Sequence, residues 1–276
     1  MTKAGTHREA VVDHLAEVWA SLTAACSDLT DAQWGSPTDC PGWTVRDQLS
    51  HLIGIERLVM GDESPPPLDV VPEYVHNAFA ELNEAWVAAR RTIPGRLVLD
   101  EFVDVANRRL VQLREMSADE FDVIGWSPVG EVPYREFLDT RVFDSWAHEQ
   151  DVRRAVGRPG GRNGPGEQSV LDRCASTMPY VVGKKVAPPD GTTVLFAVTG
   201  VLGKRLPIVV SGGRATVLGG GEDVTPDVTL TIDQETFWQI GLGRVDPTRS
   251  LAAGQVKVDG DTALGNRVLA AMTFMV

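Results

Sequence analysis

Tyr134-Arg-Glu-Phe-Leu-Asp-Thr-Arg141-Val-Phe-Asp144-Ser-Trp-Ala-His148-Glu-Gln-Asp-Val-Arg-Arg154-Ala-Val156 is the stretch whose reading decides the fold. It contains neither Gly nor Pro. Phe137, Arg141, Asp144, His148, Val152 and Ala155 recur at steps of three and four, so they share one stripe of a helix running from about Tyr134 to Val156. Asp144 and His148 stand one turn apart and project from the same face. A carboxylate and an imidazole so placed can coordinate a divalent metal, as inward-facing ligands do in helical bundles. The same pair can equally form an ordinary hydrogen bond on a helix surface.

Moving toward the N-terminus, Thr44 is a candidate N-cap with Asp47 at the capping-box position, opening a helix to about Met60. Its stripe is Asp47, His51, Gly54, Ile55 and Leu58. His51 therefore sits on a mainly apolar face, where it is either a core histidine or a third ligand. Two histidines and a carboxylate suit zinc, or another divalent metal, with a position left for water or substrate. Spacing leaves both readings of His51 standing.

Further helices are expected at 7–26, at Glu73–Arg91 (stripe Val75, Phe79, Leu82, Trp86, Ala89) and at Arg96–Met116. Prolines and glycines make loops of Trp34–Trp43, Ser64–Pro67 and Gly125–Pro133. Gly157–Gly166 is dense in Gly and Pro and marks a domain boundary or exposed linker. It follows a helix rather than a strand, which argues against a phosphate-binding loop.

Beyond it the pattern changes. A helix at 168–184 precedes β-branched runs at Thr193–Thr199, Leu206–Val210, Ala215–Leu218 and Val228–Ile232. Asp233 caps a short helix through Ile240, Gln255–Val258 reads as a strand, and Thr262–Phe274 as a closing helix. The fold class is α+β: a helical bundle over 1–157, then a smaller α+β domain over 168–276.

Composition agrees with two packed domains. The chain has 276 residues, 43% hydrophobic and 23% charged. A net charge of −12, with no Lys/Arg run longer than a pair, speaks against nucleic acid and anionic membranes as partners. Cys26, Cys40 and Cys174 form no CxxC pair, which suits a reducing cytosol. No window approaches the ~18 apolar residues of a membrane span. These features suit a cytoplasmic protein.

Pro37-Thr-Asp-Cys-Pro-Gly-Trp-Thr-Val-Arg-Asp-Gln-Leu-Ser-His51-Leu resembles the N-terminal signature of the mycothiol-dependent maleylpyruvate isomerase family, a branch of the DinB-like metalloenzymes. Arg141 to Arg154 resembles its second signature. Asp227-Val-Thr-Leu-Thr-Ile and Gln255-Val-Lys-Val-Asp-Gly-Asp resemble a sterol-carrier-protein-like domain. The resemblance implies a four-helix-type bundle with a divalent metal, usually zinc, held by His, Glu and His. His51 and His148 match the histidines, and Asp144 stands where the glutamate is expected, one methylene shorter. Glu149 is adjacent but points about 100° away on a helix.

The resemblance also implies mycothiol as co-substrate. A free thiol is weakly nucleophilic near neutral pH, and a divalent metal can hold it as thiolate or polarise a carbonyl. An isomerase would add the thiolate to the double bond of a maleylpyruvate-like cis-dicarboxylate, permit rotation and release it. An S-transferase would release the adduct from a small electrophile. Arg244, after a helix of the second domain, is the candidate catalytic residue, as a clamp for a substrate carboxylate; its other reading is a solvated loop arginine. Trp43 either lines the mouth of the site or packs as a staple against its helix, and packing is the preferred reading; Cys40 is read as a structural residue of the loop rather than a nucleophile. A metal-dependent hydrolase and a non-catalytic small-ligand binding protein are the competing functions.

Overall fold

In the computed structural model, which describes residues 9–127, 130–219 and 225–275, the chain separates into two units, Met1–Glu167 and Gln168–Val276. The first is built from α1 (Ala10–Cys26), α2 (Asp31–Trp34), α3 (Val45–Val59), α4 (Ala78–Ala88), α5 (Gly95–Glu115), α6 (Ala118–Phe121), the strands β1 (Ile124–Ser127) and β2 (Gly130–Pro133), and α7 (Tyr134–Val156). The bundle consists of α1, α3, α5 and α7. Helix α1 packs on α7 and α5, and α3 packs on α5 and α7, with α4 alongside α3.

Local chemistry explains the ends of these helices. Thr44 starts α3: its backbone N–H and its Oγ1 both donate to Asp47 Oδ2 at 2.8 Å. Gly157, in the left-handed region at φ 66°, stops α7. Gly54 allows α3 and α4 to meet, because a Cβ there would lie 2.5 Å from the Trp86 side chain.

Two expectations for this unit need correction. Residues 73–77 are not helical: α4 begins only at Ala78, where the Asn77 side chain accepts from the Ala80 N–H, and Phe79 is exposed. The expected loop Gly125–Pro133 contains a hairpin, with Ile124 paired to Pro133 and Ser127 to Gly130. Its strands are four residues each, and Ile124 and Trp126 are exposed. So short a run with no buried face carries little alternation to read. Residues 128 and 129 lie outside the described residues, as does His7 of the expected first helix. The glycine-rich segment runs up to the division between the units at Glu167 and is tied to α7: the Trp146 Nε1–H donates to Gly161 O at 2.6 Å and Gln150 Nε2 to Gly160 O at 3.2 Å.

The second unit begins within α8 (Pro165–Tyr180). The helix expected to run unbroken to 184 gives way after Pro179 to a wider π-turn over Val181–Val186, as befits a residue that has no N–H to donate. Strands β3 (Thr193–Thr199), β4 (Lys204–Ser211), β5 (Arg214–Val217), β6 (Val228–Asp233) and β7 (Val256–Gly260) form a sheet in the order β5-β4-β3-β6-β7. Among the described residues of this sheet only the β3–β6 pair is parallel, with Val194 opposite Val228. Helices α9 (Gln234–Gly241), α10 (Pro247–Ala252) and α11 (Thr262–Ala271) complete the unit, α9 against β3 and β6, α11 against β6 and β7. Asp233 caps α9 by accepting from the Thr236 N–H at 3.0 Å. Among the described residues no helix is long and apolar enough to cross a membrane.

Candidate metal centre

Helices α3 and α7 face each other in the bundle, and each brings its polar positions inward. His51 and His148 are buried, and the Asp144 side chain is 19% exposed. His51 Nε2 lies 3.2 Å from Asp144 Oδ2, and His148 Nε2 lies 3.5 Å from Asp144 Oδ1. One donor atom from each of the three falls within 4.8 Å of the others. Ligand atoms about 2.1 Å from a shared ion at tetrahedral angles stand about 3.4 Å apart. The donor set and its spacing therefore fit a divalent ion such as zinc.

A buried ion network backs the cup. Arg141 donates from Nη1 to Asp144 Oδ2 and from Nε to Glu56 Oε1, both at 2.7 Å. Arg109 donates from Nε to Glu56 Oε2 at 3.2 Å and also reaches the Tyr134 hydroxyl. Glu56 is 1% exposed, so its charge is tolerable only because two guanidinium groups surround it. Burial would push the Asp144 carboxyl up, but His51, Arg141 and His148 outweigh it and hold it well below the usual carboxylate range. The histidines are driven apart. Burial lowers His51 despite Asp144, whereas at His148 burial is overcome by the attraction of Asp144, with Asp151 and Cys40 close by, and the imidazole is raised.

Trp43 lies against the two imidazoles, the site-lining alternative rather than the preferred packing one. Its ring is centred 5.2 Å from that of His51 and 5.9 Å from that of His148. Its Nε1–H donates to Glu84 Oε2 at 2.8 Å, and Glu84 also accepts from the Tyr74 hydroxyl at 3.0 Å. The tryptophan is thus anchored at its far edge while its face covers both imidazoles. Glu149, passed over in favour of Asp144, accepts from Ser21 Oγ at 2.6 Å and Arg153 Nε at 2.7 Å, and so ties α7 to α1. The three candidate ligands belong to the first unit and Arg244 to the second. Arg244 is half-buried and donates from Nη1 to Leu242 O at 2.9 Å.

Sequence reasoning missed Glu56, Glu84, Asp151 and Cys40 as parts of this environment. A faint signal existed for two of them. Glu56 is a charge inside a largely apolar helix, and Asp151 lies one turn beyond His148 on a helix already carrying polar residues inward.

Residues 15–153 match the family profile of the mycothiol maleylpyruvate isomerase N-terminal domain. The chain belongs to this family. Residues 179–273 match the SCP-2 sterol transfer family, which accounts for the second unit. Solved structures are similar to this chain across both units. Two solved structures of mycothiol-dependent maleylpyruvate isomerase, one a mutant, are similar over 91% of this chain and 92% of theirs, with TM-scores of 0.58 and 0.56. At 16% and 18% identity that is a likeness of fold. A Bacillus pumilus (strain SAFR-032) protein named "Putative metal-dependent hydrolase" is 30% identical over 128 residues, covering 44% of this chain and 67% of the relative.

Proposed function

We propose that this member of the family is a metal-dependent enzyme that uses a low-molecular-weight thiol, mycothiol, as its nucleophile. Its reaction is isomerisation of a maleylpyruvate-like cis-dicarboxylate or transfer of the thiol to a small electrophile. The observation carrying this reading is the convergence of His51, Asp144 and His148 from α3 and α7 at spacings that suit one divalent ion. Such an ion, zinc in this reading, would supply Lewis acidity, lowering the pKa of a thiol and polarising a substrate carbonyl. The chain supplies the rest. Arg141 fixes the Asp144 carboxylate, and the Trp43 face gives the site an apolar wall beside both imidazoles. Arg244 enters the proposal as the cation for a substrate carboxylate, on the chemistry of its guanidinium group.

Metal content is the first test. The purified protein is expected to hold close to one equivalent of zinc, and His51→Ala and His148→Ala to lose it. Equal metal in wild type and both variants would refute the site. Thiol dependence is the second. Turnover of the cis-dicarboxylate only with mycothiol, and without consuming it, supports isomerisation; a stable thioether product assigns transfer instead. The Bacillus pumilus relative favours a second reading, hydrolysis. Turnover with no thiol added would establish it at the expense of the first.

A further inference from the structure

The two imidazoles of the metal centre are held differently. His51 turns Nε2 to Asp144, and its Nδ1 is buried without a hydrogen-bond partner. His148 turns Nε2 to Asp144 and presents Nδ1 to Asp151 Oδ2, 3.3 Å away. The approach is oblique, so His148 Nδ1 is a buried nitrogen with no aligned hydrogen bond. A buried polar atom of that kind calls for an explanation. Asp151 is fully buried, one helical turn beyond His148 on the same rigid helix.

The same Asp151 oxygen receives a second group. The Cys40 thiol donates to Asp151 Oδ2 at 3.2 Å and lies 3.8 Å from Gln48 Oε1. Cys40 is itself pinned in the loop before α3: its N–H donates to Thr38 Oγ1 at 3.3 Å, and its carbonyl accepts from the Trp43 N–H at 3.1 Å. The loop that lays Trp43 against the rings and the carboxylate behind His148 are therefore joined at Cys40.

We infer that Asp151 is a positioning residue for the metal centre, its carboxylate accepting the Nδ1 proton of His148 and the Cys40 thiol holding that carboxylate in place. A neutral imidazole carries one N–H. An acceptor behind Nδ1 selects the tautomer whose lone pair is on Nε2, the nitrogen facing Asp144, and makes that lone pair more basic. His51 has no such backing, so His148 is the ligand whose orientation the fold controls. This inference rests on the metal reading above, and its test separates the two.

The test compares full-length wild type, Asp151→Asn, Cys40→Ala and Cys40→Ser. The zinc dissociation constant is measured by chelator competition and the cobalt(II) absorption spectrum is recorded, with circular dichroism confirming the folded state. Asp151→Asn is expected to weaken zinc about 10–100-fold and to alter the cobalt bands. Cys40→Ala should weaken zinc less, and Cys40→Ser, which keeps a donor, should restore most of the loss. A merely structural role would lower the folded fraction without changing the spectrum of the bound ion. Wild-type affinity and spectrum in folded Asp151→Asn overturn the inference while leaving the metal site intact. If Asp151→Asn does not fold, Cys40→Ala decides, and unchanged affinity and spectrum overturn it. Failure of the wild type to bind either ion would bring down the metal reading and this inference together.

Discussion

Asp144 is a single short carboxylate that serves two imidazoles and a guanidinium group: 3.2 Å to His51, 3.5 Å to His148 and 2.7 Å to Arg141. The missing methylene relative to glutamate therefore does not keep it from the cup. Asp144→Ala removes a charge from the donor set and is expected to weaken zinc by more than the 10–100-fold typical of a supporting group. A chelator competition showing a smaller loss would place Asp144 outside the direct ligands. The cysteines divide at the same scale. Burial pushes the thiols of Cys26 and Cys174 up to about 12, so neither forms appreciable thiolate at neutral pH. Both are expected to resist iodoacetamide at about pH 8 in the folded protein and to react once it is denatured, as peptide mass spectrometry will register.

Three helices depend on one buried glutamate. Glu56, on α3, meets Arg109 of α5 and Arg141 of α7, and Arg141 passes the constraint on to Asp144. Glu56→Ala would take from the buried Arg109 its carboxylate partner and leave Arg141 with Asp144 alone, at a cost of about 3–5 kcal/mol. Chemical denaturation should show that loss, and zinc affinity should fall with it because Arg141 is freed to shift. The α3–α4 contact is equally intolerant. Gly54→Val would force carbon atoms into the Trp86 side chain, with an expected loss of about 1–3 kcal/mol by the same measurement. A stability unchanged by Gly54→Val would mean that α4 can move away from α3.

For the whole molecule, the distribution of ligands is informative. His51, Asp144, His148 and their supports Glu56, Arg109, Arg141 and Asp151 all belong to the unit that ends at Glu167. A protein truncated just after Glu167 is expected to bind zinc with an affinity within a few-fold of the full chain. Arg244→Ala in the full chain should leave zinc affinity unchanged and impair turnover of a carboxylate-bearing substrate, chiefly through KM. Loss of zinc from the truncated but folded protein would show that the metal centre needs the second unit.

The sequence by itself determined the long elements. Tyr134–Val156 and Thr193–Thr199 stand where their patterns place them, because each has an unbroken period and a sharp stop. It also determined which residues could carry the chemistry, since Asp144 and His148 share a helical face by spacing alone. Residues 73–77 and the hairpin before α7 were not legible. The first has a helical pattern that the Asn77 cap cuts off, since α4 starts only after it, and the second is too short to show a period. Which polar groups meet is set by the packing of the helices. That His51 reaches Asp144 across the bundle, that Glu56 lies between two arginines from different helices, and that Cys40 and Asp151 stand behind His148 are contacts over 53 to 111 residues of chain. Periodicity sets which side of a helix a residue occupies, but the identity of its neighbour depends on how the helices pack, and no local pattern in the sequence encodes that.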